Sequence, residues 1–458
     1  MVDFAQARVV HERGHVNDAV LAYDELLNTS VGVPDPEVLF YYGTALYQQG
    51  KLGLATVVLK QCLDMRPTMQ SAYQNLGNCY RQALDFKGAE EVYLAGLDLG
   101  ESADLEGCLA GLWINRGNPK KAMYHYERSL KIEPRDKLVQ FNKGLAHLEL
   151  SDWRKGWELY DIGYEAGARA NRQYVDLPKW QGEHGKILIV WGEQGLGDEI
   201  MFASMLPDLQ KICKRVILDC HPRLVDTYKR SFPGMEVHGT RKNVSLEWIA
   251  KSDAEMHCSI TTAAKYLRND DKDFPGTPYL VANAETLERK RYRKGKLRVG
   301  LTWAGGTKGT HMHARSFPLE TLLPVLDQDC DFFSLQYQTT AAREVCELEE
   351  KHGIHLRHFP DIAENQNYDK TINFIASLDL VITVCTTVHH AAGALGVPCW
   401  TMVPSEPAWR YGQKGTKTPW YNNTTLYRQF KGENWDAVAN RVAVDLEKML
   451  AMRDKAAA

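Results

Sequence analysis

The chain has 458 residues, and its 55 Lys and Arg nearly balance 58 Asp and Glu, for a formal net charge of -3. A hydrophobic fraction of 44% and a charged fraction of 25% suit a globular chain of about three domains. The charge balance excludes the broad positive field of a protein that coats nucleic acid or anionic lipid. No apolar run is long enough to span a bilayer, and residues 1–30, with Asp3, Arg8, Glu12 and Arg13, lack a secretory signal. The ten cysteines stand singly from Cys62 to Cys399, with no C-x-x-C pair for zinc or redox chemistry. Free, mostly buried thiols in the cytoplasm are the expectation.

The first third is periodic. Ala19, Ala55, Ala89 and Ala122 recur at offsets of 33 to 36, each followed four residues later by Tyr23, Leu59, Tyr93 or Tyr126. Gly14, Gly50 and Gly117 stand five residues before three of these alanines, and Leu84 takes that slot in the remaining copy. Ala7, Gly43, Gly77 and Ala110 fall twelve residues before them, and Pro67 and Pro134 close two units. Small residues let two helices approach, the glycine turns between them and the proline stops the second. The competing reading is an irregular helical bundle. These units resemble tetratricopeptide-type repeats from about residue 1 to 136, with a degenerate fifth unit at 137–168 that keeps Gly144 and places Gly156, Tyr160, Trp153 and Trp157. The resemblance implies a curved array whose face holds peptides or protein segments, or one that only bridges domains. The aromatic last unit is expected to dock on the domain that follows.

Residues 169–185 carry Pro178 and Gly182 without helical periodicity and read as a linker. Residues 186–191 (KILIVW) then read as a buried parallel strand, followed by the glycine turn GEQGLGD at 192–198 and a helix. Further strands are predicted at 215–219 and 234–238, giving a first α/β domain over 186–290. A second, over 291–432, opens with LRVGLTWAGG (297–306) and has strands at 332–337, 380–385 and 398–404 and helices at 318–326, 340–351, 371–377 and 387–395. Residues 433–458 hold a packed terminal helix. The two α/β domains predict a cleft beyond the carboxyl ends of their strands.

Three stretches carry candidate chemistry. In 192–198, Gly195 and Gly197 allow close backbone approach, and Glu193 stands beside them on the cleft. Asp198 is placed either to take a proton from an acceptor hydroxyl or to cap the next helix. The order G-x-x-G-x-G is not the dinucleotide signature, which disfavours a nicotinamide cofactor. In 383–396, the amides at Thr386, Thr387 and Val388 open a helix suited to a diphosphate, with His389 and His390 in its first turn. Plain capping by a threonine is the alternative there, and an adjacent histidine pair is a poor metal site. In 304–316, glycines lead into Lys308 and Arg315, which could close over phosphate or simply be solvated.

From about residue 150 to 432 the chain resembles a GT-B-type glycosyltransferase region of the kind attached to tetratricopeptide repeats in bacterial proteins. It is similar to lipopolysaccharide heptosyltransferases and, more distantly, to protein O-GlcNAc transferases. The stretches that carry the likeness include WGEQGLGDEIMFASMLP (191–207), GLTWAGG (300–306), RSFPLE (315–320), LDLVITVCTTVHHAAGALGVPCWTMVP (378–404) and AWRYG (408–412). The resemblance implies that Asp198 of G-L-G-D is the acceptor-side base. It aligns Thr386 and His390 with the family's D-T-x-x-x-H segment, although Cys385 replaces its aspartate and His389 stands where a small residue is usual. Arg315, Ser334 and Gln336 would border the donor pocket, and Trp409 and Arg410 would face the cleft. The implied activity is inverting, metal-independent transfer from a nucleotide-diphosphate sugar, with no permanently bound cofactor, to a hydroxyl on a protein or glycan recruited by the repeats. A protein-interaction scaffold with an inactive region, suggested by Cys385, and a sugar-nucleotide epimerase are the alternatives.

Overall fold

The computed structural model describes residues 3–29, 32–169, 177–240, 247–292, 295–306, 312–363 and 367–457. It divides into two compact units, Met1–His147 and Leu148–Ala458.

The first unit is a solenoid of tetratricopeptide-type hairpins. Its helices pair as Phe4–Glu12 with Val16–Thr29, Pro36–Gln48 with Leu52–Met65, Gln70–Gln82 with Phe86–Leu97 and Ala103–Asn115 with Pro119–Ile132. The sequence slots explain the pairing. A side chain at Gly43 would come within 2.7 Å of Leu59, and one at Gly77 would run into the Tyr93 ring, so the small residue of one helix receives the large residue of the next. The marker alanines are fully buried between them. Gly14, Gly50 and Gly117 make the turns at φ +82°, +77° and +64°, and Leu84 adopts φ +64° in the same slot. Such a backbone costs an L-residue about 1–2 kcal/mol. Asp85, Ser102 and Asn118 cap the helices that follow them.

The fifth predicted unit holds the helices Lys137–Glu149 and Trp153–Tyr160, and the division between the two compact units falls near the end of the first of them. Its second helix is built into the α/β unit, as its aromatic composition predicts. The Trp157 indole donates to the Arg268 carbonyl at 2.7 Å, that of Trp153 to Asp271 at 2.7 Å, and the rings pack with Phe202, Phe274 and Trp409. The expected linker is also partly structural. Arg169 and Trp180 are buried, while 170–176 lie outside the described residues.

The second unit holds two parallel sheets. Strands β1 (Ile187–Trp191), β2 (Arg215–Asp219), β3 (Glu236–His238) and β4 (Met256–Ser259) form the first, in the order β3-β2-β1-β4. Strands β5 (Leu297–Leu301), β6 (Cys330–Ser334), β7 (Arg357–His358), β8 (Leu380–Val384), β9 (Cys399–Val403) and β10 (Thr424–Arg428) form the second, in the order β10-β9-β8-β5-β6-β7. Strand direction is uniform in each sheet, and β1, β8 and β9 are buried along their whole length, as near-continuous apolar runs require. Strand order reverses at β1/β4 in the first sheet and at β5/β8 in the second, and in open parallel sheets ligands bind beyond the carboxyl ends of strands at such points, here β1, β5 and β8. The three predicted chemical stretches follow those three strands. The terminal helix Trp435–Ala457 packs Val438, Val442 and Leu446 into the core of the second sheet. All ten thiols are free, and Cys346 alone is exposed.

Candidate functional site

The turn after β1 leads into the helix Leu196–Phe202, whose N-cap is Gly195, so Asp198 lies inside the first turn and does not cap it. The turn after β8 leads into the helix Thr387–Leu395. These two helix starts abut. A Cβ at Gly197 would lie 3.2 Å from the Thr387 Cα and 3.0 Å from His390 Cδ2, and glycine is what lets them meet. The positive ends of two helix dipoles therefore meet at one place.

Two arginines border it. Arg410, from the short turn Trp409–Tyr411, donates to Asp198 Oδ1 at 2.6 Å. Both side chains are largely shielded, at 18% and 22% exposure. Burial works to lower the Arg410 pKa, but the Asp198 carboxylate foremost outweighs it, and the net direction is upward. Arg315 donates to the Cys385 carbonyl at 2.9 Å, and Gly306, at φ +92°, clears the space for its guanidinium. Lys308 lies outside the described residues.

The helix start at 386–390 realises the capping alternative. Thr386 accepts from the Val388 amide at 3.2 Å, and only Thr387 of this turn is not buried. His389 and His390 are buried, their Nδ1 atoms 2.8 Å from Thr401 Oγ1 and 3.1 Å from Tyr421 Oη. Burial drives His389 down to about 3, and burial with the neighbouring His389 drives His390 well below the ordinary histidine value. Both are neutral at pH 7. Cys385 is buried beside Tyr411 and Val403, and burial pushes its thiol up to about 11, so it supplies no charge where the resembling family has a carboxylate. Among the described residues no group of three or more His, Cys, Asp or Glu is placed to hold a metal ion.

Four predicted residues serve as supports instead. Glu193 is no cleft residue. Its carboxylate is buried against Arg169 and Thr261 and accepts from the Tyr164 hydroxyl at 2.9 Å. Arg169 also donates to the Tyr160 carbonyl at 2.9 Å, and the Gln194 amide donates to the Tyr160 hydroxyl at 2.5 Å. With Gln194 itself at φ +57°, this network pins the turn that carries Asp198. Ser334 and Gln336 are likewise buried inside the fold. Gln336 is fully buried and braces the turn after β5, accepting from the Trp303 and Ala304 amides at 3.1 and 3.2 Å, while Ser334 bonds to the Gln336 amide and His358. The Trp409 ring points into the aromatic cluster of Trp157, Phe202 and Trp420. Nothing in the sequence announces the Arg169 network, because Arg169 opens the aperiodic stretch 169–185, which carries no motif.

No family model matches the chain. It is 27% identical over 464 residues to Protein FlbA of Caulobacter vibrioides, covering 93% of this chain and 70% of that protein. Among solved structures, MamA is 20% identical with a TM-score of 0.31, covering 37% of this chain and 96% of that one. TTC0263, a thermophilic tetratricopeptide protein of Thermus thermophilus, is 16% identical with a TM-score of 0.32, covering 35% and 88%.

Proposed function

We propose that the second unit is a GT-B-type glycosyltransferase moving a sugar from a nucleoside-diphosphate donor to a hydroxyl acceptor, and that the helical repeats recruit that acceptor on a protein or glycan. The observation that carries this reading is the abutment of the Asp198 turn with the 386–388 helix start, at the reversal points of two parallel sheets, with Arg315 and Arg410 alongside. One helix N-terminus contributes about 0.3–1 kcal/mol toward an anion, up to about 2 when partly buried. Micromolar binding needs about 8 kcal/mol, so the arginines are essential to a diphosphate site.

In the proposed reaction the acceptor oxygen attacks the anomeric carbon as Asp198 takes its proton. The bond from that carbon to the phosphate oxygen breaks with inversion, and the nucleoside diphosphate leaves with the electron pair. Arg315, Arg410 and the helix amides stabilise the charge that develops on the leaving group. Asp198 enters this step only after exchanging its Arg410 partner, and an incoming diphosphate is the natural competitor for that guanidinium.

Calorimetric titration with UDP-, GDP- and ADP-sugars tests the reading. Saturable binding of one donor is expected, with Asp198→Asn retaining binding while turnover collapses; unchanged turnover refutes the base, and an inverted sugar stereocentre after incubation with donor alone indicates an epimerase. A scaffold reading is favoured by one feature, the neutral buried Cys385. Failure of every donor to bind would put it first.

A further inference from the structure

We infer that the first helices of the third and fourth hairpins form a site for an aspartate or glutamate side chain on an extended peptide segment, with Arg81 as its cation. This names a partner chemistry for the recruitment step proposed above, and rests on that reading only for what the bound segment is used for. Repeat spacing places the side chains. Counted from the small residues Gly43, Gly77 and Ala110, the next slot holds Thr44, Asn78 and Gly111, and the slot four after holds Tyr47, Arg81 and Ile114. Asn75, Asn78 and Arg81 then follow one another at three-residue intervals along one face of the helix Gln70–Gln82, each half-buried.

Arg81 is the odd charge of that face. Its Nη2 donates to Asn78 Oδ1 at 3.3 Å, and its Nη1 crosses to the next hairpin, where a Cβ on Gly111 would lie 2.7 Å away. Gly111 stands inside the helix Ala103–Asn115 and costs it about 0.5–1 kcal/mol against alanine. What that glycine opens is the space the guanidinium takes. Other cations of the array have acids: Arg8 pairs with Glu12, Arg116 and Lys121 with Glu90, and Arg128 with Glu106. Among the described residues Arg81 forms no ion pair. Asp104 acts on Cys108 nearby, yet it is exposed and does not pair with Arg81. A half-buried guanidinium held only by an amide is a receptor for a carboxylate.

The neighbouring amides suit a peptide backbone. Asn78 Oδ1 also accepts from the Tyr93 hydroxyl at 2.7 Å, so the Asn78 Nδ2 keeps donors that no described residue takes up. Asn75 Nδ2 donates to Thr44 Oγ1 at 2.7 Å, which leaves its Oδ1 as an acceptor without a described donor. From Asn75 to Arg81 the helix rises about 9 Å, the length of about three residues of extended chain. Acceptor, donor and cation thus follow in a row that matches main-chain amide groups and one carboxylate. Hairpins stand on both sides of this one, so a chain passes the row rather than ending on it, which points to an internal acidic residue.

The test screens the full chain, with no sugar donor present, against random heptapeptides displayed on phage. The winning sequence is then synthesised with both ends blocked, once as selected and once with its acid changed to the amide, and a third time as the amide form with a free terminal carboxylate. Enrichment of Asp or Glu at one position is expected, and fluorescence anisotropy should give the blocked acidic peptide a Kd at least tenfold below both others. Arg81→Gln should bind the acidic and amide peptides alike, Arg81→Lys should recover part of the preference, and both should keep the parent's circular dichroism. No enrichment of acids, equal affinity for the amide peptide, binding that follows the terminal carboxylate, or an acid preference that survives in Arg81→Gln would overturn the assignment. A chain that takes the acidic peptide but no donor keeps this site and loses the transferase; the reverse result does the opposite.

Discussion

The Asp198–Arg410 pair makes the most exacting demand on the proposed site. Removing one partner of a fully buried pair costs about 3–5 kcal/mol, whereas an exposed pair contributes about 0–1. With about a fifth of each side chain exposed, this pair should fall between, at about 1–3 kcal/mol. A double-mutant cycle with Asp198→Asn and Arg410→Met isolates that energy. Ten of the eleven tryptophans lie in the second unit, so denaturation followed by tryptophan fluorescence reports on the unit that holds the pair. The same variants report on function with opposite signs. Asp198→Asn frees Arg410 for the diphosphate and should tighten nucleoside-diphosphate binding several-fold, while Arg410→Met should weaken it by tenfold or more. A coupling energy under about 0.3 kcal/mol would show that the pair does not form. Equal affinities in both variants and the parent would refute the exchange of Arg410 between carboxylate and phosphate.

Other residues give independent checks. Gly197→Ala puts a methyl against Thr387 backbone and His390, and should cost about 1–3 kcal/mol and abolish donor binding in the same titration. Leu84→Gly relieves a left-handed leucine that is exposed, and after the entropy cost of glycine should stabilise the repeats by about 0.5–1 kcal/mol in thermal unfolding followed by circular dichroism. His389 falls in the folded state from 6.5 to about 3, so its contribution is fully present above pH 6.5 and is lost as pH falls toward 3. Stability measured from pH 7 to 5 should decline more steeply in the parent than in His389→Gln. Glu149 has the opposite sign. Burial first, and then Glu406, raise it from 4.5 to about 8, so its contribution is present below pH 4.5 and lost as pH rises toward 8. Glu149→Gln, which removes the charge, should flatten stability between pH 5 and 8.

The parts of the fold that were legible in the sequence are those in which one residue type answers one steric demand. Gly43 and Gly77 mark the close approach of helices because no larger side chain fits against Leu59 and Tyr93. The runs at β1 and β8 announce strands because burial on both faces leaves no room for polar alternation. Strands β4, β7 and β10 were not predicted. MHCS and the two-residue RH carry little apolar signal, and TTLYR joins the sheet by pairing with β9.

The site was legible as turns but not as side chains. Glycines locate 192–198 and 304–306, yet they do not say which neighbours turn inward and which stay exposed. Within 192–198 the two carboxylates have opposite fates. Glu193 is drawn inward because Arg169, Tyr164 and Thr261 together satisfy a charge that could not be buried alone. Asp198, five residues on and in the first turn of a helix, is answered among the described residues by Arg410 and stays about a fifth exposed, and therefore keeps an exchangeable partner. That asymmetry makes sense of two acids in one turn. A rigid carboxylate holds the turn in place so that a labile one can change hands, and Glu193→Gln should therefore disturb the fold where Asp198→Asn leaves it intact.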